Sequence, residues 1–141
     1  MALPAEAPAN VNFTQFGNNY LPAWRALIRK NPIAAEILMF LIEHMGKQHN
    51  AVVVSYNTMM ELTGRSRPTV SRAVRALKED NWIEAVQVGN TTAYAVNERV
   101  AWRTHANQRQ YAYFSAAVVA GASEQKEIRK GKLKHIPIIE D

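Results

Sequence analysis

The 141-residue chain contains no cysteine. A disulfide framework, a thiolate zinc site and a cysteine nucleophile are therefore excluded, and the composition fits a reducing compartment. No apolar run approaches the roughly 18 residues of a membrane span. The opening, Met1-Ala2-Leu3-Pro4-Ala5-Glu6-Ala7-Pro8, lacks the basic and then apolar order of a secretory signal. The expectation is a soluble, cytoplasmic protein with no membrane partner. There is no Walker loop and no G-x-G-x-x-G, and His44, His49, His105 and His135 form no H-E-x-x-H or other ligand spacing. These histidines are expected as isolated surface side chains, with no metal, no cofactor and no enzymatic activity. No internal repeat is visible either.

What is present is a core-forming composition with a basic bias. Apolar residues make up 48% and charged residues 21%, which suits one globular domain and not a disordered chain. Seventeen Lys and Arg against 12 Asp and Glu give a net charge of +5, which favours a polyanionic partner. The excess is not spread evenly. Residues 1–54 are nearly balanced, whereas residues 55–79 carry Arg65, Arg67, Arg72, Arg75 and Lys78 against Glu61 and Glu79. A second basic segment holds Lys126, Arg129, Lys130, Lys132 and Lys134 against Glu127.

Periodicity organises the rest. Residues 1–18 show none and read as a flexible arm. A helix is predicted from about Asn19, with Leu21, Trp24, Leu27 and Ile28 at helical spacing, Pro22 in its first turn and Arg29-Lys30 at its end. Asn31 then suits an N-cap and Pro32 a first helical position. Ala34, Ile37, Leu38, Leu41, Ile42 and Met45 follow on one face, and Gly46 closes that helix. Val52-Val53-Val54 is long enough for a small strand. Ser55 caps a short helix with Met59, Met60 and Leu62 as its apolar contacts, and Gly64 stops it. Ser66 caps the next helix, in which Val70, Ala73, Val74 and Leu77 make a narrow apolar stripe. Residues 82–88 and 93–96 read as two strands joined through Gly89-Asn90-Thr91-Thr92, a hairpin signal. Residues 111–119 are apolar on either period, with a final strand preferred. Residues 121–141 read as a basic, mobile tail.

This order of elements, with a stop, a glycine and a new cap within Leu62-Thr63-Gly64-Arg65-Ser66, is that of a winged helix-turn-helix domain. The fold class is α+β, mainly helical with a small β-wing. The domain is placed at residues 19–120 together with flanking dimerisation elements. The second helix of such a motif must pack by one face and present donors on the other. Arg72 and Arg75 do this, with Thr69 and Ser71 beside them as phosphate or base-edge partners. The expected DNA-binding set is Ser55, Arg65, Ser66, Arg67, Pro68, Thr69, Ser71, Arg72, Arg75, Asn90, Thr91 and Thr92. Lys126, Arg129, Lys130, Lys132 and Lys134 are possible phosphate contacts. Against this stand the plainer readings of a solvated helix face and a solubilising tail.

The stretch Ser66-Arg67-Pro68-Thr69-Val70-Ser71-Arg72-Ala73-Val74-Arg75-Ala76-Leu77 resembles the recognition helix of GntR-type and related winged-helix regulators. That resemblance implies the fold and DNA. A longer pattern, through Asn31-Pro32, Gly64, Trp82-Ile83, Tyr94-Ala95-Val96-Asn97 and Trp102, resembles the RepL-like plasmid replication and maintenance proteins. It implies a replicon-encoded binder of an origin or operator. Here Asn97 is followed by Glu98, where that family commonly has proline. Tyr111 and Tyr113 raise the question of a nicking tyrosine, but nickases resemble one another in a His-apolar-His motif that this chain lacks.

One recognition helix reads only a few base pairs, so a homodimer is expected, placing a second helix about 34–36 Å along the duplex. Leu21, Trp24 and Ile28, with residues 111–119, offer a surface for that pairing. Transcriptional repression and use of the winged helix as a protein-interaction module are the alternative functions. No small-molecule effector is expected, because only about 40 residues follow the wing and GntR-type regulators usually carry a ligand domain there.

Overall fold

A computed structural model describes residues 1–6, 13–46, 49–103, 117–119 and 138–139. Two of its helices begin at local side-chain caps. A 3-10 turn at Asn18–Tyr20 leads into α1 (Leu21–Lys30), and α2 spans Pro32–His44. Asn31 caps α2 as its side-chain Oδ1 accepts from the Ala34 N–H at 3.1 Å, and Pro32 loses nothing at a position whose N–H would be unpaired anyway. Every residue of the anticipated α2 stripe is buried, and Ala35 and Phe40 join it. This helix is apolar on most sides because it is covered on most sides, packing against α1, α3 (Tyr56–Thr63), α4 (Arg67–Glu79) and one strand of the sheet.

Strands β2 (Ala51–Val53), β3 (Ile83–Val88) and β4 (Thr91–Val96) pair antiparallel in the order β3-β4-β2, and β6 (Ala117–Val119) and β7 (Ile138–Ile139) add parallel strands beyond β2. The strand preferred within residues 111–119 is therefore present at its C-terminal end, while residues 111–116 lie outside the described part. The expected mobile tail is corrected at its far end, where Ile138–Ile139 pair with Val118–Val119. Residues 121–137 lie outside the described residues.

The N-terminal arm is also corrected over its last residues. Strand β1 (Gln15–Phe16) pairs antiparallel with β5 (Ala101–Trp102), and the Gly17 N–H donates to the Val100 carbonyl at 3.0 Å. Arg103 locks the same region. Its guanidinium donates to Thr14 Oγ1 at 3.0 Å and to the carbonyls of Ile42, Glu43 and Met45 at 3.0–3.2 Å. These are carbonyls at the C-terminal end of α2, which lack intrahelical partners and carry the negative end of the helix dipole.

Two tryptophans close the core under α1. Trp24 and Trp82 lie 5.1 Å apart between ring centroids, and Phe16 meets the edge of Trp24 at 6.0 Å. Trp24 is thus buried, and of the three α1 residues offered for dimer pairing only Leu21 and Ile28 are exposed. Histidine 49 departs from the surface reading too: it is buried, with its ring against Gly46, and desolvation lowers its pKa from the ordinary value. Among the described residues no helix is long and apolar enough to cross a membrane, and no three His, Asp or Glu side chains are grouped to hold a metal ion.

Candidate nucleic-acid interface

The turn between α3 and α4 depends on one backbone conformation. Gly64 adopts φ 67° and ψ 22°, the left-handed region, and its N–H donates to the Met60 carbonyl at 2.8 Å. Thr63 Oγ1 donates to the Met59 carbonyl at 2.8 Å and accepts from the Arg65 N–H at 3.3 Å. Ser55 supplies the N-cap at the other end of α3, its Oγ accepting from the Thr58 N–H at 3.1 Å. The Ser55 hydroxyl is occupied by helix capping within the protein. Of the apolar residues assigned to α3, Met59 is fully buried, Met60 is half-buried and Leu62 is exposed.

Helix α4 divides as its sequence predicts. Val70, Ala73, Val74 and Leu77 are all buried, while Arg65, Ser66, Arg67, Pro68, Arg72 and Arg75 are exposed, and Thr69 and Ser71 are half-buried at the borders. Ser66 occupies the N-cap position but makes no capping hydrogen bond, contrary to expectation. Its hydroxyl instead shares a hydrogen bond with Thr69 Oγ1 at 3.1 Å, and Arg72 Nη2 donates to that same oxygen at 3.3 Å. Ser66, Thr69 and Arg72 therefore form one polar row, one helical turn apart, with Arg75 a further turn along. Arg67 leaves this row and lies over the ring of Tyr56.

The end of α4 sets the position of the wing. Asn81 has φ 62°, and the Asn81 and Trp82 N–H groups return to the Lys78 and Leu77 carbonyls at 3.2 and 2.9 Å. This is the Schellman pattern with asparagine in the left-handed position, and it turns Trp82 back over Leu77 into the core. Asn97 then fastens the returning strand, its Nδ2 donating to the Asn81 carbonyl at 2.8 Å and its Oδ1 accepting from the Arg99 N–H at 3.0 Å. Asn97 in the Tyr94-to-Asn97 stretch thus has a structural task.

The wing hairpin is tighter than its composition suggested. Val88 pairs with Thr91, so the loop is only Gly89-Asn90, with Gly89 at φ 62°. Asn90 is at the exposed tip, whereas Thr91 and Thr92 belong to β4. Thr92 Oγ1 accepts from Gln87 Nε2 at 3.3 Å, which brings Gln87 to the same face. Gln87 and Tyr56 escaped the sequence reading because neither stands in a periodic basic pattern. Lys126, Arg129, Lys130, Lys132, Lys134, Tyr111 and Tyr113 lie outside the described residues.

A helix-turn-helix with one buried and one basic face, followed by a β-hairpin, is now defined. Residues 29–83 match the family model of a helix-turn-helix domain. The match covers α2, β2, α3 and α4 and ends at the first residue of β3. Such a domain is a binding module and not by itself a catalyst, and the similarity supports DNA as the partner of this chain. No curated protein and no solved structure matches the chain.

Proposed function

We propose that the chain binds double-stranded DNA sequence-specifically as a homodimer and serves a plasmid, in replication initiation, copy control or maintenance. The observation that carries the DNA reading is the division of α4. Four buried apolar residues fix the helix to the body, so the row from Ser66 through Thr69 and Arg72 is presented as a rigid set of donors and acceptors. Arg72 and Arg75 are the base-reading candidates, and Arg65, Thr69 and Ser71 flank them. Asn90, at the tip of the wing, approaches the adjacent backbone together with Thr91 and Thr92. Exposed Leu21 and Ile28, on one face of α1, are offered to a second copy, because two half-sites on one duplex face require two recognition helices. The plasmid role is supported by the RepL-like pattern of residues 31–102. The α4 motif shared with GntR-type regulators supports DNA binding alone.

Selection of bound genomic fragments with the purified chain tests the proposal. Repeated sites near an origin are the expected result. A lone promoter palindrome would assign the protein to transcriptional repression instead, and no enrichment would overturn sequence-specific DNA binding. Light scattering that detects only a monomer at DNA-binding concentrations would remove the dimer.

A further inference from the structure

Three side chains meet where α3, α4 and the wing converge. Tyr56 is the first residue of α3 and Arg67 the first residue of α4. The Arg67 guanidinium carbon lies 5.2 Å from the centroid of the Tyr56 ring, within the range of a cation–π contact. Tyr94, on β4, is buried, and burial first and the neighbouring Tyr56 second raise its pKa from the ordinary value. The row of Ser66, Thr69 and Arg72 uses neither tyrosine.

We infer that Tyr56 is a positioning residue for Arg67: its ring holds the guanidinium beside the first turn of α4, where Arg67 contacts a DNA backbone phosphate and does not enter the groove. The inference rests on the DNA-binding reading. At 100° per residue, Arg67 lies only about 70° round the helix from the centre of the buried stripe, whereas Arg72 lies about 150° away. Arg67 is therefore on the flank facing α3, and the ring beneath it fixes that direction. A guanidinium lying on an aromatic face keeps its N–H edge free for an oxygen acceptor. Pre-setting it spares part of the ordering that an untethered arginine undergoes on binding.

The test is a double-mutant cycle in the full chain, with titrations of cognate and scrambled duplexes over a salt series. Arg67→Ala is expected to weaken both duplexes alike and to flatten the salt slope by about 0.9, one phosphate contact. Tyr56→Leu is expected to cost about two- to fivefold in the parent and nothing in the Arg67→Ala background, while Tyr56→Phe keeps most of the affinity because the ring remains. An equal cost of Tyr56→Leu in both backgrounds would overturn the positioning role, as would an Arg67→Ala loss confined to the cognate duplex. Independently of any variant, the Arg67 Hδ protons of the free protein should show an upfield ring-current shift. Its absence would also overturn the inference. Failure of the parent chain to bind any duplex would instead refute the DNA-binding reading itself, so the two failures are distinguishable.

Discussion

Replacing Arg72 by alanine separates reading of bases from holding of the backbone. The side chain is exposed, it stands about 150° round α4 from the buried stripe, and its contact is a 3.3 Å hydrogen bond to Thr69 Oγ1. Alanine is at least as good a helix former as arginine, so folding stability should change by no more than about 0.5 kcal/mol. The DNA effect should be much larger and selective. A bidentate contact to a guanine edge is worth about 1–3 kcal/mol, which converts to about a 5- to 150-fold loss on the cognate duplex. A scrambled duplex offers no such edge in register and should be bound nearly as before. The salt slope should also hold, because no phosphate contact is lost. The assay is a titration of parent and Arg72→Ala chains on both duplexes at several salt concentrations, with a melting curve as control. Equal losses on the two duplexes with a flatter salt slope would show that Arg72 clamps phosphate, and the assignment of the reading face would be wrong.

Other residues give independent tests. Gly64→Ala meets no atom within 4 Å of the added Cβ, so its effect is backbone strain alone. A loss of about 1–2 kcal/mol in denaturant unfolding is expected, smaller for Gly64→Asn. Arg103→Ala removes four hydrogen bonds that join α2 to Thr14, and should cost about 2 kcal/mol and speed amide exchange at Gly17. Burial lowers the pKa of His49, so the folded state disfavours its charged form. The corresponding stability is complete above the unfolded value near 6.5 and falls as the pH drops below it, and His49→Gln should flatten that part of the pH profile. Lys132→Ala and Lys134→Ala should weaken cognate and scrambled duplexes alike, each flattening the salt slope by about 0.9 if the basic tail tracks phosphates.

Local chemistry marked the start of α2 and both ends of α3. Asn31-Pro32, Ser55 and Gly64 act within one turn of where they stand, because caps and left-handed glycines depend on nearest neighbours. The amphipathic stripe of α4 was equally legible, since one face of a helix repeats every 3.6 residues wherever the helix is placed. Position in the fold decided what periodicity cannot. Trp24 and Ile28 share the α1 apolar pattern, yet Trp24 is buried against Trp82 while Ile28 is exposed, because only one of them meets the segment that follows α4. His49 is buried by its neighbours and not by its own pattern, and Arg103 finds carbonyls some 60 positions earlier in the chain. Ser66 stands at a cap position and still bonds Thr69 in place of a backbone N–H, since a hydroxyl has more than one partner within reach. The same limit hid Tyr56. Its contact with Arg67 spans two helices, and only the αL turn at Gly64 brings their first residues together.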